Sequence, residues 1–121
     1  MGPTREDCIA EAVRGLVESF ADLSGTTYQH ATDHHLGAGS DADLLAAAVE
    51  EVIYHLDTEG TIPAAVEVSR AADGGIDLTL RVVDAAAAQI IGAAPKAASL
   101  SSLTCAPDAS GQWLCAVTID V

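Results

Sequence analysis

The sequence predicts an α+β, two-layer domain: two amphipathic helices packed on a mostly antiparallel or mixed β-sheet. Three observations carry this. Apolar residues recur at helical spacing between residues 9 and 20 and again between 44 and 56. After Pro63 the apolar period changes to two. The order (helix, strand, helix, then four strands) lacks the strict alternation of a doubly wound parallel sheet. The 121 residues fit a single domain, 1–121, long enough to bury an ordinary core without staples.

The first helix opens at Thr4, with Asp7 three residues on as the acidic member of a capping box. Behind it Ile9, Ala12, Val13, Leu16, Val17 and Phe20 share one face, while Glu11, Arg14 and Glu18 share the other. Gly25, after Ser24, is its expected stop. Residues Thr26 to Ala38 carry no helical period. Thr26, Thr27 and Tyr28 favour extended backbone, so part of this stretch is expected as a strand. Ser40 and Asp43 repeat the cap signature. Leu44, Leu45, Ala48, Val49, Val52, Ile53 and Leu56 then mark a second helix, closed by Gly60. Each helix has a dry face and an acidic face, which predicts that they lie side by side on a sheet.

Val66 and Val68 precede the turn Ala72-Asp73-Gly74-Gly75. Ile76, Leu78, Leu80 and Val82 then alternate with Asp77, Thr79 and Arg81. That is a hairpin with one buried face. Ala85 to Ala94 is Ala-rich and reads equally as loop or short helix. A second hairpin has Ala98, Leu100 and Leu103 on one arm. After the loop from Pro107 to Gly111, Trp113, Cys115, Val117, Ile119 and Val121 follow on the other.

Composition excludes several classes of function. The formal charge is −13, from eighteen acidic and five basic residues. Nucleic-acid binders cluster Lys and Arg against phosphates, whereas Arg5, Arg14, Arg70, Arg81 and Lys96 are scattered. No direct nucleic-acid contact is expected; a basic partner surface or a cation complements so acidic a chain. Neither a membrane-length apolar run nor a signal peptide is read here. Three cysteines without a C-x-x-C pattern suit a reducing, cytoplasmic setting.

His30, Asp33, His34 and His35 are metal-ligand types. On a strand, His30 and His34 would stand roughly 13 Å apart, too far for one ion, and His34 and His35 would face opposite ways. Solvated or hydrogen-bonded histidines are the favoured reading. The cysteines lack a basic neighbour that would activate them and read as small core residues. Leu36-Gly37-Ala38-Gly39-Ser40 enters a helix like a phosphate loop, but Asp41 and Asp43 in the first turn repel an anion. At the chain's end Asp120 takes the polar phase of the last strand, next to the carboxylate of Val121. Two such anions suit a hard divalent cation, although a terminal Asp is ordinarily solvated.

Three stretches carry a family resemblance. Gly2-Pro3-Thr4-Arg5-Glu6-Asp7-Cys8 through Phe20-Ala21-Asp22 resembles the first helix of the archease family. Asp43-Leu44-Leu45 through Leu56-Asp57-Thr58-Glu59-Gly60 is similar to its second helix and the Leu-Phe-Asp-Thr-Glu-Gly exit. Pro95-Lys96-Ala97, Gly111-Gln112-Trp113 and Val117-Thr118-Ile119-Asp120-Val121 resemble its Val-Lys-Ala-Val-Thr segment and its close. All stand in one register from residue 2 to the end. The family's His-Thr-Ala-Asp strand, which precedes the first helix, is missing, and Ala98-Ser99-Leu100 stands where Val-Thr-Tyr-His is usual.

The resemblance implies a non-catalytic cofactor of RtcB-type RNA ligases, promoting guanylylation and turnover in tRNA splicing or RNA repair. It also implies a divalent metal, usually Ca²⁺. Asp120 and Val121 would be its ligands, held weakly because the family's N-terminal Asp ligand is missing. Lys96 and Asp57 are the candidate partner contacts. The absent strand would leave a sheet edge open to pairing with another chain. Two other functions compete. One is a self-sufficient metal-dependent hydrolase built on Asp120 with Asp33 or the histidines; the other is an acidic interaction or chaperone-like domain.

Overall fold

The structure, a computed structural model, describes residues 2–120, with the backbone alone for 97–102. Helix α1 spans Arg5–Phe20, and the Thr4 hydroxyl accepts from the Asp7 N–H at 3.1 Å, as the cap predicts. The helix ends well before Ser24-Gly25. Ala21–Asp22 form a two-residue strand, β1, and the Phe20 carbonyl accepts from the Ile91 N–H at 2.9 Å. Pairing with a distant segment thus overrides a sequence that would have allowed another helical turn. Gly25 serves a turn instead, at φ 77°, where Thr26 N–H reaches Leu23 O.

Strand β2, His30–Leu36, lies inside the stretch expected to hold one. Helix α2, Asp41–Tyr54, is capped by the Ser40 hydroxyl on the Asp43 N–H at 3.1 Å. It runs into one wide π-helical turn, His55–Glu59, and Gly60 ends it in left-handed conformation at φ 64°. Only glycine adopts that conformation without steric cost.

Strands β3 (Thr61–Arg70) and β4 (Ile76–Asp84) form the first hairpin. β3 begins before Pro63, and its register shifts between Pro63 and Ala65, which accommodates a residue without an N–H. The Ala-rich connection resolves into a 3₁₀ turn, Ala85–Ala87, and strand β5, Gln89–Ile90, paired with β1. β6 (Ala97–Pro107) and β7 (Trp113–Asp120) form the second hairpin, and Gly2 bridges to Trp113 on β7.

Every ladder is antiparallel, in the orders β1-β5, β2-β4-β3 and β6-β7. The α+β class therefore holds, but the strands are divided among three sheets. Both edges of β4 are occupied by β2 and β3, so the last hairpin finds no partner there. Helix α1 packs on β3 and β7, and α2 packs on β6 and on α1. Between them Ile9, Phe20, Leu45, Val49, Ile62, Leu78 and Leu80 are fully buried. These are residues of the predicted apolar phases, with Ile62 added by the earlier start of β3.

Arg5, a charged residue at the head of α1, is buried. Its guanidinium donates to Glu6 at 2.8 Å, to Asp41 at 3.1 Å, and to the Gly74 and Gly75 carbonyls at 3.2 and 3.4 Å. Glu6, with Asp41 beside it, holds the Arg5 pKa above its ordinary value against the opposing effect of burial. One side chain so ties together both helix N-termini and the β3–β4 turn.

Candidate functional site

The sequence points to the C-terminal corner. Asp120 is exposed at the end of β7, and its carbonyl accepts from the Lys96 N–H at 2.7 Å. Two residues singled out from sequence thus stand side by side, with the Lys96 side chain exposed. Val121 lies outside the described residues. Asp57 is exposed on the π-helical turn, a different element. Ca²⁺ requires roughly six to eight oxygen ligands. Among the described residues no group of three ligand-type side chains gathers round Asp120.

The histidines of β2 separate as strand geometry predicts. His35 is on the outer face, its ring nitrogens 2.8 Å from both Asp73 and Asp77. Those contacts, Asp77 first, raise its pKa above the ordinary value. Asp33, on the same outer face, accepts from the Thr79 hydroxyl at 2.8 Å. Asp33 and Asp120 belong to no group of three ligand-type side chains among the described residues.

His34 faces the other way, and here the structure adds what the sequence reading missed. Its Nε2 lies 3.2 Å from Nε2 of His55 and 3.0 Å from the Thr32 hydroxyl. Its Nδ1 lies 3.5 Å from a Glu51 carboxylate oxygen. The two rings meet edge to face at 75°. His55 is buried, with Nδ1 3.3 Å from the Thr61 hydroxyl. Burial, then the neighbouring His34, lowers its pKa and favours a neutral ring. One ligand atom each from His34, Glu51 and His55 lie within 4.8 Å of one another. The available signal was the four-residue spacing of Glu51 and His55, which puts both on one face of a helical turn. Their approach to His34 depends on how β2 docks beside the end of α2, which no local pattern encodes.

The cysteines behave as core residues. Cys8 and Cys105 are buried. Cys105 and Cys115 are directly opposite across the β6–β7 ladder, with sulfurs 2.9 Å apart. The Cys105 contact and burial push the Cys115 thiol up, away from a reactive thiolate.

Comparison with known proteins supplies the remaining observations. The model of the "Archease protein family (MTH1598/TM1083)" matches residues 1–121. The chain is 47% identical over 119 residues to proteins named "Probable protein archease" from two strains of Mycobacterium tuberculosis, CDC 1551 / Oshkosh and ATCC 25618 / H37Rv. Those matches cover 98% of this chain and 65% of the relatives' length. Among the described residues no helix is long and apolar enough to cross a membrane.

Proposed function

The chain belongs to the archease family, and from that premise we propose that it is a non-catalytic protein cofactor of an RtcB-type RNA ligase. In this reading it promotes guanylylation of the ligase and its turnover in tRNA splicing or RNA repair, in the cytoplasm. The observation that carries the proposal is the family match along the whole chain. The charge of −13 supports an indirect link to RNA: an acidic protein is repelled by phosphates and attracted to the basic surface of an enzyme that binds them.

The physical task of such a cofactor is to bind one state of the ligase better than another. An effector shifts an equilibrium only by its differential affinity for the two states. Lys96 and Asp120, both exposed and joined through a backbone hydrogen bond, form the proposed contact region, with Asp57 as a further contact. A divalent cation, Ca²⁺ as the family resemblance implies, would be held by Asp120 and Val121. The test is a guanylylation assay with the cognate ligase, GTP and metal, with and without the chain. Faster ligase–GMP formation and more ligation turnovers are expected. No stimulation over a range of protein ratios refutes the proposal.

A further inference from the structure

We propose that His34, Glu51 and His55 form a binding site for a borderline-soft divalent metal ion of the zinc class, separate from the C-terminal corner.

The ligand types point to this class of ion. Two imidazoles and one carboxylate suit zinc and its transition-metal neighbours, whereas Ca²⁺ and Mg²⁺ take oxygen shells. The geometry points the same way. Tetrahedral zinc with nitrogen ligands at about 2.0–2.1 Å places two of them roughly 3.3 Å apart. The Nε2 atoms of His34 and His55 are 3.2 Å apart. The third ligand atom, from Glu51, lies within the 4.8 Å spread of the group. The Glu51 carboxylate now faces His34 Nδ1 at 3.5 Å; partly exposed, its side chain can turn toward the two Nε2 atoms to complete the set.

The ligands are also held from behind. The Thr61 hydroxyl contacts His55 Nδ1 at 3.3 Å. If that Nδ1–H is donated to the Thr61 oxygen, Nε2 presents its lone pair to the ion, which is how outer partners fix a histidine ligand. Thr32, whose hydroxyl lies 3.0 and 3.5 Å from the two Nε2 atoms, sits where it can bond a water in the fourth position. His55 is buried, but His34 and Glu51 keep about a quarter of their side chains exposed, at 25% and 26%, and give the ion its entry. Carboxylate plus ion leaves a net charge of +1 here, favourable in a strongly acidic protein.

The competing state is a metal-free pair of imidazoles in which one Nε2–H donates to the other, and the two are separable. Metal-stripped full chain is titrated with Zn²⁺ by calorimetry in excess Ca²⁺. One equivalent is expected to bind, and His34→Ala with Glu51→Gln is expected to weaken binding at least a hundredfold. Asp120→Asn is expected to leave it unchanged. Both altered residues are partly exposed, so the fold is expected to survive. Nitrogen NMR of the unaltered protein provides an independent reading. Zn²⁺ is expected to shift the Nε2 resonances of His34 and His55 and to spare His30 and His35. Absence of stoichiometric binding, full binding by the double variant, or shifts confined to His35 overturns the proposal. None of these outcomes bears on ligase activation.

Discussion

Replacing Arg5 with Met tests the polar junction that ties both helix N-termini to the β3–β4 turn. The substitution keeps an unbranched apolar stem and deletes the guanidinium. Lost with it are the Glu6 and Asp41 pairs and the bonds to the Gly74 and Gly75 carbonyls. Glu6 is the next residue in the chain, so part of its attraction for Arg5 persists on unfolding. Asp41 is 39% exposed and regains water when the pair is broken, so its contribution is discounted. The carbonyl bonds join distant segments and exist in the folded state only. A hydrogen bond to a charged group contributes ~1.5–3 kcal/mol. After these discounts the net loss is about 2–3 kcal/mol. With an unfolding entropy of ~2.1 cal/mol/K per residue, a chain of this length loses about 8–12 °C in Tm. The assay is thermal and urea unfolding at neutral pH, with Arg5→Lys as control. Lys keeps the charge but loses the planar fork and should fall between the two. A change in Arg5→Met below about 0.5 kcal/mol, the usual range for a surface substitution, would show that these bonds contribute little to stability.

Other consequences are equally direct. Thr4→Ala and Ser40→Ala each remove a side-chain cap and should lower stability by about 1 kcal/mol in urea unfolding; a neutral result for both would contradict the cap assignments. Phe20→Ala, at a fully buried site, should cost about 3–5 kcal/mol, and wild-type stability would show that Phe20 is not central to the core. Asp108 accepts from the Ser110 hydroxyl and from the Ser110 and Gln112 N–H groups, and the Ser110 side chain leads in lowering its pKa from 3.8. Its folded pKa being depressed, its contribution is present above 3.8 and is lost as pH falls through the folded value. A carboxyl NMR titration should find its midpoint below 3.8; a midpoint at or above that value contradicts the loop geometry. Asp120→Asn should abolish the Ca²⁺ binding proposed for the C-terminus. Calorimetry showing unchanged Ca²⁺ affinity would remove Asp120 from that role.

Much of this architecture is legible from local pattern. Thr4 and Ser40 announce two helices because a hydroxyl at the N-cap meets a free backbone donor two or three residues on. Gly60 announces the end of the second. Alternation from Ile76 to Val82 sets β4 and its buried face, and the same period of two correctly parts His34 from His35. The misses share a cause. β1 and β5 are two residues each, too short to have a period, yet their pairing decides where α1 stops. The division of the strands among three sheets follows from which edges of β4 are occupied, a property of the assembled fold. The meeting of His34 with Glu51 and His55 is of the same kind. Half of it lay in a four-residue helical spacing, and the other half required the docking of β2.

The proposed cofactor role has this chain act on a ligase and not on RNA. Its most direct test is the rate of ligase–GMP formation by the cognate RtcB-type enzyme with GTP and metal, measured with increasing amounts of the chain in the absence of RNA. Saturable acceleration, weakened in Lys96→Ala, is expected. A rate that is independent of the chain would contradict it.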